Sequence, residues 1–118
     1  MTPRALIVDD EPDIRELLQI TLERMDLDVR TAESLNTAIR ELRAEHFDLC
    51  LTDMKLPDGD GLDLVEWIQN HKPRTPVAVI TAHGNVESAV RALKLGAFDF
   101  ISKPIDVGAL RKLISATL

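Results

Sequence analysis

One cysteine, Cys50, is all the chain carries, which excludes an internal disulfide framework and suits a reducing compartment. No apolar run approaches the ~20 residues of a membrane span, and the opening MTPRALIV lacks the apolar core of a signal peptide. Internal repeats, low-complexity tracts and linker-like runs are also missing. Positive charge is in short supply: the formal net charge is -6, with acids gathered in DDE at 9–11 and DGD at 58–60 while the bases are scattered. A surface of that sign does not grip phosphate backbones unaided, so nucleic acid is not expected as a direct partner. Together these absences describe a cytoplasmic domain with neither membrane nor nucleic-acid contacts of its own.

The 118 residues are 45% hydrophobic and 29% charged, the make-up of one soluble globular domain over 1–118. Such a chain buries about two thirds of its unfolded surface. Runs of strand length occur at 5–8 (ALIV), 28–31 (DVRT), 48–52 (DLCLT), 77–81 (VAVIT) and 98–102 (FDFIS). The first, third and fourth read as continuous apolar runs, as expected for strands covered on both faces. Helical patterns alternate with them. Ile14, Leu17, Leu18, Leu22 and Met25 form one stripe behind Pro12, which suits a first helical turn. Leu35, Ala38, Ile39 and Leu42 follow Ser34, an N-cap type. Leu64, Val65 and Ile68 make a shorter helix ended by PRTP at 73–76. Asn85 precedes a fourth stripe of Val86, Val90 and Leu93, closed by Gly96; Asp106 precedes a fifth of Leu110, Leu113 and Ile114. The alternation predicts an α/β fold of three layers, a five-stranded parallel sheet with right-handed crossovers and five helices divided between its faces.

Ligands of such sheets bind beyond the carboxyl ends of the strands. Asp9 and Asp10 follow the first strand, Asp53 follows the third, Thr81 ends the fourth and Lys103 follows the fifth. A carboxylate finishing a buried run is costly unless charge or hydrogen bonds compensate it. Taken singly, each residue has a plainer reading. Asp9 and Asp10 suit a helix N-terminus, Asp53 a turn before Pro57, Thr81 a strand, and Lys103 a solvated strand end. Their convergence on one rim favours chemistry. Three crowded carboxylates repel, and a hard divalent cation such as Mg²⁺ relieves them. A metal held by Asp10 and Asp53, with Asp9 orienting a ligand water, leaves room for a phosphoryl oxygen. Thr81 would meet another such oxygen by hydrogen bond and Lys103 as a point charge. That set fits attack by a carboxylate on phosphorus to give an aspartyl-phosphate. The loop DGDG at 58–61 starts like a calcium loop, but Leu62 occupies its fifth position and no Glu its twelfth, so it reads as a turn. Cys50, inside a buried strand, reads as inert packing.

The segments LIVDDEPDIR (6–15), DLCLTDMKLPDGDGL (48–62), VITAHG (79–84) and LGAFDFISKP (95–104) together resemble the receiver domain of two-component response regulators. The resemblance covers essentially the whole chain. Residues 81–104 are similar to receivers of NtrC-type, sigma-54-dependent activators. It implies a CheY- or flavodoxin-like fold with strand order 2-1-3-4-5 and phosphotransfer from the phosphohistidine of a sensor histidine kinase. Asp53 would be the phosphorylation site and Asp9 and Asp10 the acidic pair. The backbone carbonyl of Lys55 would be a further Mg²⁺ ligand, with Thr81 and Lys103 sensing the phosphate. Phe100 takes the switch position, without a hydroxyl to hydrogen-bond, and would move inward as Thr81 shifts. Lys55 and His83 would tune the phosphoryl lifetime, although His83 also reads as a solvated loop residue at the pocket mouth. Lys103–Pro104 would be cis. The face of the fourth helix, fifth strand and fifth helix would serve a homodimer or effector, with Asp99, Arg91 and Arg111 as charged contacts. The chain ends at Leu118 within a helical pattern, so effector domains, an AAA+ ATPase and a DNA-binding module, are expected beyond it.

Two rivals share this chemistry or fold. A haloacid-dehalogenase-like phosphohydrolase also uses an Asp nucleophile and Mg²⁺, but its D-x-D motif after the first strand is not matched by DDEPD at 9–13. A phosphorylation-independent interaction module usually lacks one of the signature residues, and this chain keeps them all. The domain is therefore expected to be a phosphoacceptor rather than an enzyme, catalysing only its own phosphorylation and dephosphorylation.

Overall fold

A computed structural model describes residues 2–118. Its elements run β1 (Arg4–Val8), α1 (Pro12–Glu23), β2 (Asp28–Ala32), α2 (Leu35–Ala44), β3 (Leu49–Asp53), β4 (Lys55–Leu56), β5 (Gly59–Asp60), α3 (Gly61–His71), β6 (Val77–Thr81), α4 (Val86–Leu95), β7 (Asp99–Ser102) and α5 (Val107–Thr117). The main sheet is parallel, in the order β2-β1-β3-β6-β7. Counting its five strands along the chain, that is the expected 2-1-3-4-5. The order reverses between β1 and β3, so the crevice of such a fold opens where Asp9 and Asp53 leave their strands.

Alternation along the strands divides the core in two. Leu6, Val8, Cys50, Val77 and Val79 point to one face, under Ala38 and Leu42 of α2, Leu64, Val65 and Ile68 of α3, and Ala92 of α4. Ala5, Ile7, Leu49, Leu51, Ala78 and Ile80 point to the other, under Leu18 and Leu22 of α1 and Leu110, Leu113 and Ile114 of α5. All five residues of β3 are buried, Asp53 included. Burial on both faces is why these strands read as unbroken apolar runs.

The helix starts follow their side chains. Ser34 accepts from the Thr37 N–H, Asn85 from Ser88 and Asp106 from Gly108. Gly96 ends α4 with φ of 120°, a conformation that favours glycine.

Three local expectations are corrected. The loop at 58–61, expected as a turn, holds only the end of one: Gly59 and Asp60 form the second strand of an antiparallel hairpin pairing Lys55 with Asp60 and Leu56 with Gly59, and Gly61 opens α3. At the hairpin tip, Asp58 accepts from the Leu35 and Asn36 N–H groups at 2.7 and 2.9 Å, capping α2 from a remote loop. On α4, Val86, Val90 and Leu93 are 67%, 41% and 40% exposed, whereas Ala89 and Ala92 are buried. The helix therefore seats on its small side chains, and the larger ones turn outward beside Leu95, Phe98 and Phe100. On α1, Leu17 is exposed while Thr21 is buried with its hydroxyl donated to the Leu17 carbonyl. An internal hydrogen bond of that kind lets Thr occupy a core position.

Candidate functional site

The rim is assembled by backbone pairing. Asp9 lies one residue beyond β1, its N–H still donating to the Ala32 carbonyl at 3.1 Å. Its Oδ1 accepts from the Glu11 N–H at 2.8 Å. Asp53 ends β3, opposite Ile80 of β6, and its Oδ1 accepts from the Met54 N–H at 2.8 Å. The Lys103 N–H donates to the Thr81 carbonyl at 2.8 Å, which ties the end of β6 to the segment after β7. From there the Lys103 ammonium reaches back over the rim. Its Nζ lies 2.9 Å from Glu11 Oε1, 3.4 Å from Asp53 Oδ2 and 3.9 Å from Asp9 Oδ2. The Lys103–Pro104 peptide is cis, as the resemblance implied.

A cleft of about 370 Å³ opens at this point, walled by Asp10, Glu11, Asp53, Met54, Lys55, Ala82, Asn85 and Lys103. Asp9 and Thr81 are buried and are not part of the wall. Carboxylate oxygens of Asp9, Asp10, Glu11 and Asp53 all lie within 4.8 Å of one another.

The electrostatics follow from that crowding. Burial pushes the Asp9 carboxyl up to about 6; the Glu11 N–H opposes the rise, and the charge of Asp53 adds to it. Burial likewise raises Asp53, against the pull of the Lys103 charge and the Met54 N–H. For Lys103, burial acts downward, but the Glu11 hydrogen bond and the charges of Asp53 and Asp9 outweigh it and leave the pKa raised. Burial also drives the Cys50 thiol up to about 12, so it stays protonated and unreactive, in keeping with packing.

Does a divalent cation suit these residues? Asp9 Oδ2 is buried without a hydrogen-bond partner among the described residues, a costly state for a carboxylate oxygen. Three of the four carboxylates share the ammonium of Lys103, within 4 Å of Nζ, and Asp10 adds a fourth to the group, so the cluster holds surplus negative charge and all-oxygen donors. A hard cation of the Mg²⁺ type fits both facts.

The structure thus brings Asp9, Asp10, Asp53 and Lys103 together, with Lys55 on the cleft wall at the start of the hairpin. Thr81 stands at the adjoining strand end. His83 is exposed on the turn before α4, between Ala82 and Asn85, which line the cleft. Phe100 is 37% exposed, turned outward. Sequence reasoning missed Glu11, the third acid of the DDE run, whose signal was its place immediately before Pro12 beside two recognised site residues. It also missed Gly61. A Cβ there would run into the Asp53 carbonyl oxygen, with Met54 Cα at 3.1 Å. Gly61→Ala is expected to cost about 2 kcal/mol in urea unfolding and to slow any reaction at Asp53, because the displaced peptide carries that side chain. Unchanged stability would show that the backbone yields freely.

The doubly wound sheet with an acidic pair, a buried Asp and a Lys at its carboxyl rim defines a receiver domain. Residues 5–115 match the response regulator receiver domain family, and the chain belongs to it. It is 62% identical over 115 residues to the response regulator protein PilR of Pseudomonas aeruginosa, covering 98% of this chain and 26% of that protein. It is 36% identical over 112 residues to the DNA-binding transcriptional regulator NtrC of Proteus hauseri, covering 95% of this chain and 24% of that one. The chain spans about a quarter of the length of these curated relatives. Among solved structures, the beryllofluoride-activated NtrC4 receiver domain dimer superposes with a TM-score of 0.91 at 36% identity, over 97% of this chain and 94% of that one. The receiver domain of NtrX from Brucella abortus superposes with a TM-score of 0.92 at 36% identity, over 97% of each chain. The chain is therefore the receiver domain of a response regulator, a signalling domain similar to the matching quarter of PilR and of NtrC. No helix among the described residues is long and apolar enough to cross a membrane.

Proposed function

We propose that Asp53 accepts a phosphoryl group from the phosphohistidine of a sensor histidine kinase and so switches a sigma-54-dependent transcriptional output. The observation that carries this reading is the ammonium of Lys103 held 3.4 Å from Asp53 Oδ2 at the edge of an open cleft. In the transfer, a carboxylate oxygen of Asp53 attacks phosphorus while the P–N bond breaks and its electron pair returns to the imidazole. Asp10, Asp53 and the Lys55 carbonyl would hold Mg²⁺, with Asp9 orienting a ligand water; when bound, the ion neutralises charge on the phosphoryl oxygens. Lys103 meets one of those oxygens and the Thr81 hydroxyl another. Inward movement of Phe100 then reports the change, and Lys55 and His83 set how fast water reaches the acyl phosphate. Catalysis ends with the domain's own phosphorylation and dephosphorylation, and a haloacid-dehalogenase-like turnover is not favoured.

The output would pass to AAA+ and DNA-binding domains of the same protein, in the cytoplasm. The exposed apolar residues of α4 and β7, with Arg91, Asp99 and Arg111 exposed around them, suit a homodimer; the NtrC4 receiver is described as a dimer.

The test is the intact mass of the protein after acetyl phosphate and Mg²⁺, followed by peptide mapping. One phosphoryl group on the peptide containing Asp53 is expected. An unchanged mass under fresh donor and saturating Mg²⁺ would overturn the reading. A smaller effect checks the tuning residues: Lys55→Ala or His83→Ala should change the decay rate of the phosphorylated protein while Mg²⁺ affinity, measured by calorimetry, stays within about twofold. Identical decay in both variants would remove them from that role.

A further inference from the structure

We propose that Glu11 sets how readily the site takes a phosphoryl group from an anionic donor, by holding the Lys103 ammonium at the cleft rim until the incoming oxygens draw it away. The proposal rests on Asp53 being the acceptor and adds a positioning residue to that reading. Of the three carboxylates around Lys103 Nζ, Glu11 makes the shortest contact, 2.9 Å against 3.4 Å for Asp53 and 3.9 Å for Asp9. Glu11 occupies the N-cap position of α1, yet its side chain caps nothing. The longer Glu side chain is not among the types that cap a helix from this position. Here it crosses instead to the lysine beyond β7, a contact spanning 92 positions of sequence.

The consequence is competition for one cation. When an acyl phosphate reacts, an Asp53 oxygen attacks phosphorus, the bond to the bridging oxygen breaks, and the carboxylate leaves with the electron pair. Charge on the remaining phosphoryl oxygens then needs a partner that is free to move. Lys103 must let go of Glu11 to supply it. Because the Glu11 side chain is 58% exposed, water screens the pair and its grip is modest. A restraint of this size retards the step by about two- to fivefold, enough to adjust the acceptor without disabling it.

The experiment measures the rate of Asp53 phosphorylation by acetyl phosphate, each variant held at a Mg²⁺ concentration shown by calorimetry to saturate it. Glu11→Gln should be faster than the parent by about two- to fivefold. On a Lys103→Met background, where all rates are lower, the same change should give less than half that gain, since its effect runs through the lysine. An equal gain in both backgrounds would assign the effect to overall charge and overturn the proposal, as would a Glu11→Gln rate at or below the parent's. A second readout needs neither metal nor donor: the side-chain ammonium resonance of Lys103 should move in Glu11→Gln, and an unmoved resonance also counts against it. If the parent itself gains no phosphoryl group, the acceptor reading fails; if the parent reacts and Glu11→Gln does not quicken it, only the role of Glu11 fails.

Discussion

Asp53→Asn is expected to take up no detectable phosphoryl group from acetyl phosphate and Mg²⁺ under conditions where the parent gains one. The substitution keeps the shape of the side chain and its acceptor for the Met54 N–H, a 2.8 Å bond that orients the group at the end of β3. What it removes is the anionic oxygen facing Lys103, and a neutral amide is a far poorer nucleophile toward phosphorus. The fold should not suffer. Burial already raises the pKa of this carboxyl, so ionising it opposes folding, and without metal the amide should unfold at a higher urea concentration than the parent. Loss of reactivity joined to a gain in stability separates removal of the acceptor from collapse of the site. The neighbouring acids provide an internal control. Asp10 and Glu11 also line the cleft, so a phosphoryl group persisting in Asp53→Asn would map to one of them and transfer the acceptor role.

That the rim residues, Asp53 among them, could be picked out from sequence has a physical cause. Strands covered on both faces read as near-continuous apolar runs, so a charged or polar residue at the end of such a run marks the strand end and the rim at once. Asp9, Asp53 and Thr81, at or just beyond the ends of β1, β3 and β6, were legible for this reason, and Asp10 and Lys103 by their places after β1 and β7. The caps Ser34, Asn85 and Asp106 were legible because each acts within three residues of itself. Features that depend on distance in space were not. Asp58 finds its partners 23 and 22 residues away on α2, and a hairpin with two-residue strands has no periodicity to detect. On α4, the alanine face and the valine–leucine face both have helical spacing. Which one turns inward depends on how closely the helix approaches the sheet, and that is decided by packing. Glu11 was missed for a related reason. Its residue type and place were in view, but the direction of its side chain, toward Lys103 rather than its own helix, exists only in the folded chain.

Asp9→Asn gives the other large effect, a reversal of stability that depends on metal and pH. With a carboxyl pKa of about 6 in the folded protein against the ordinary 3.8, the folded state holds its proton more tightly than the unfolded state does. Stability from this group is therefore fully present below the ordinary value, declines as pH rises from there toward about 6, and is lost above it. In chelator at neutral pH the parent bears the whole cost, on the order of 1–2 kcal/mol after allowance for relaxation around the charge. Asp9→Asn removes that cost. Its amide oxygen still accepts from the Glu11 N–H, and its amide nitrogen replaces the buried oxygen that has no partner, where it can donate to the surrounding carboxylates. Urea titrations in chelator should find the variant more stable by that amount at neutral pH, with a shallower fall between pH 4 and 6. Millimolar Mg²⁺ should invert the order, because the parent gains stability by binding the ion while the variant, short of one charge, gains less. If Asp9→Asn were less stable than the parent in chelator, with the slope between pH 4 and 6 unchanged, the crowding of carboxylates would not be the dominant force at this rim.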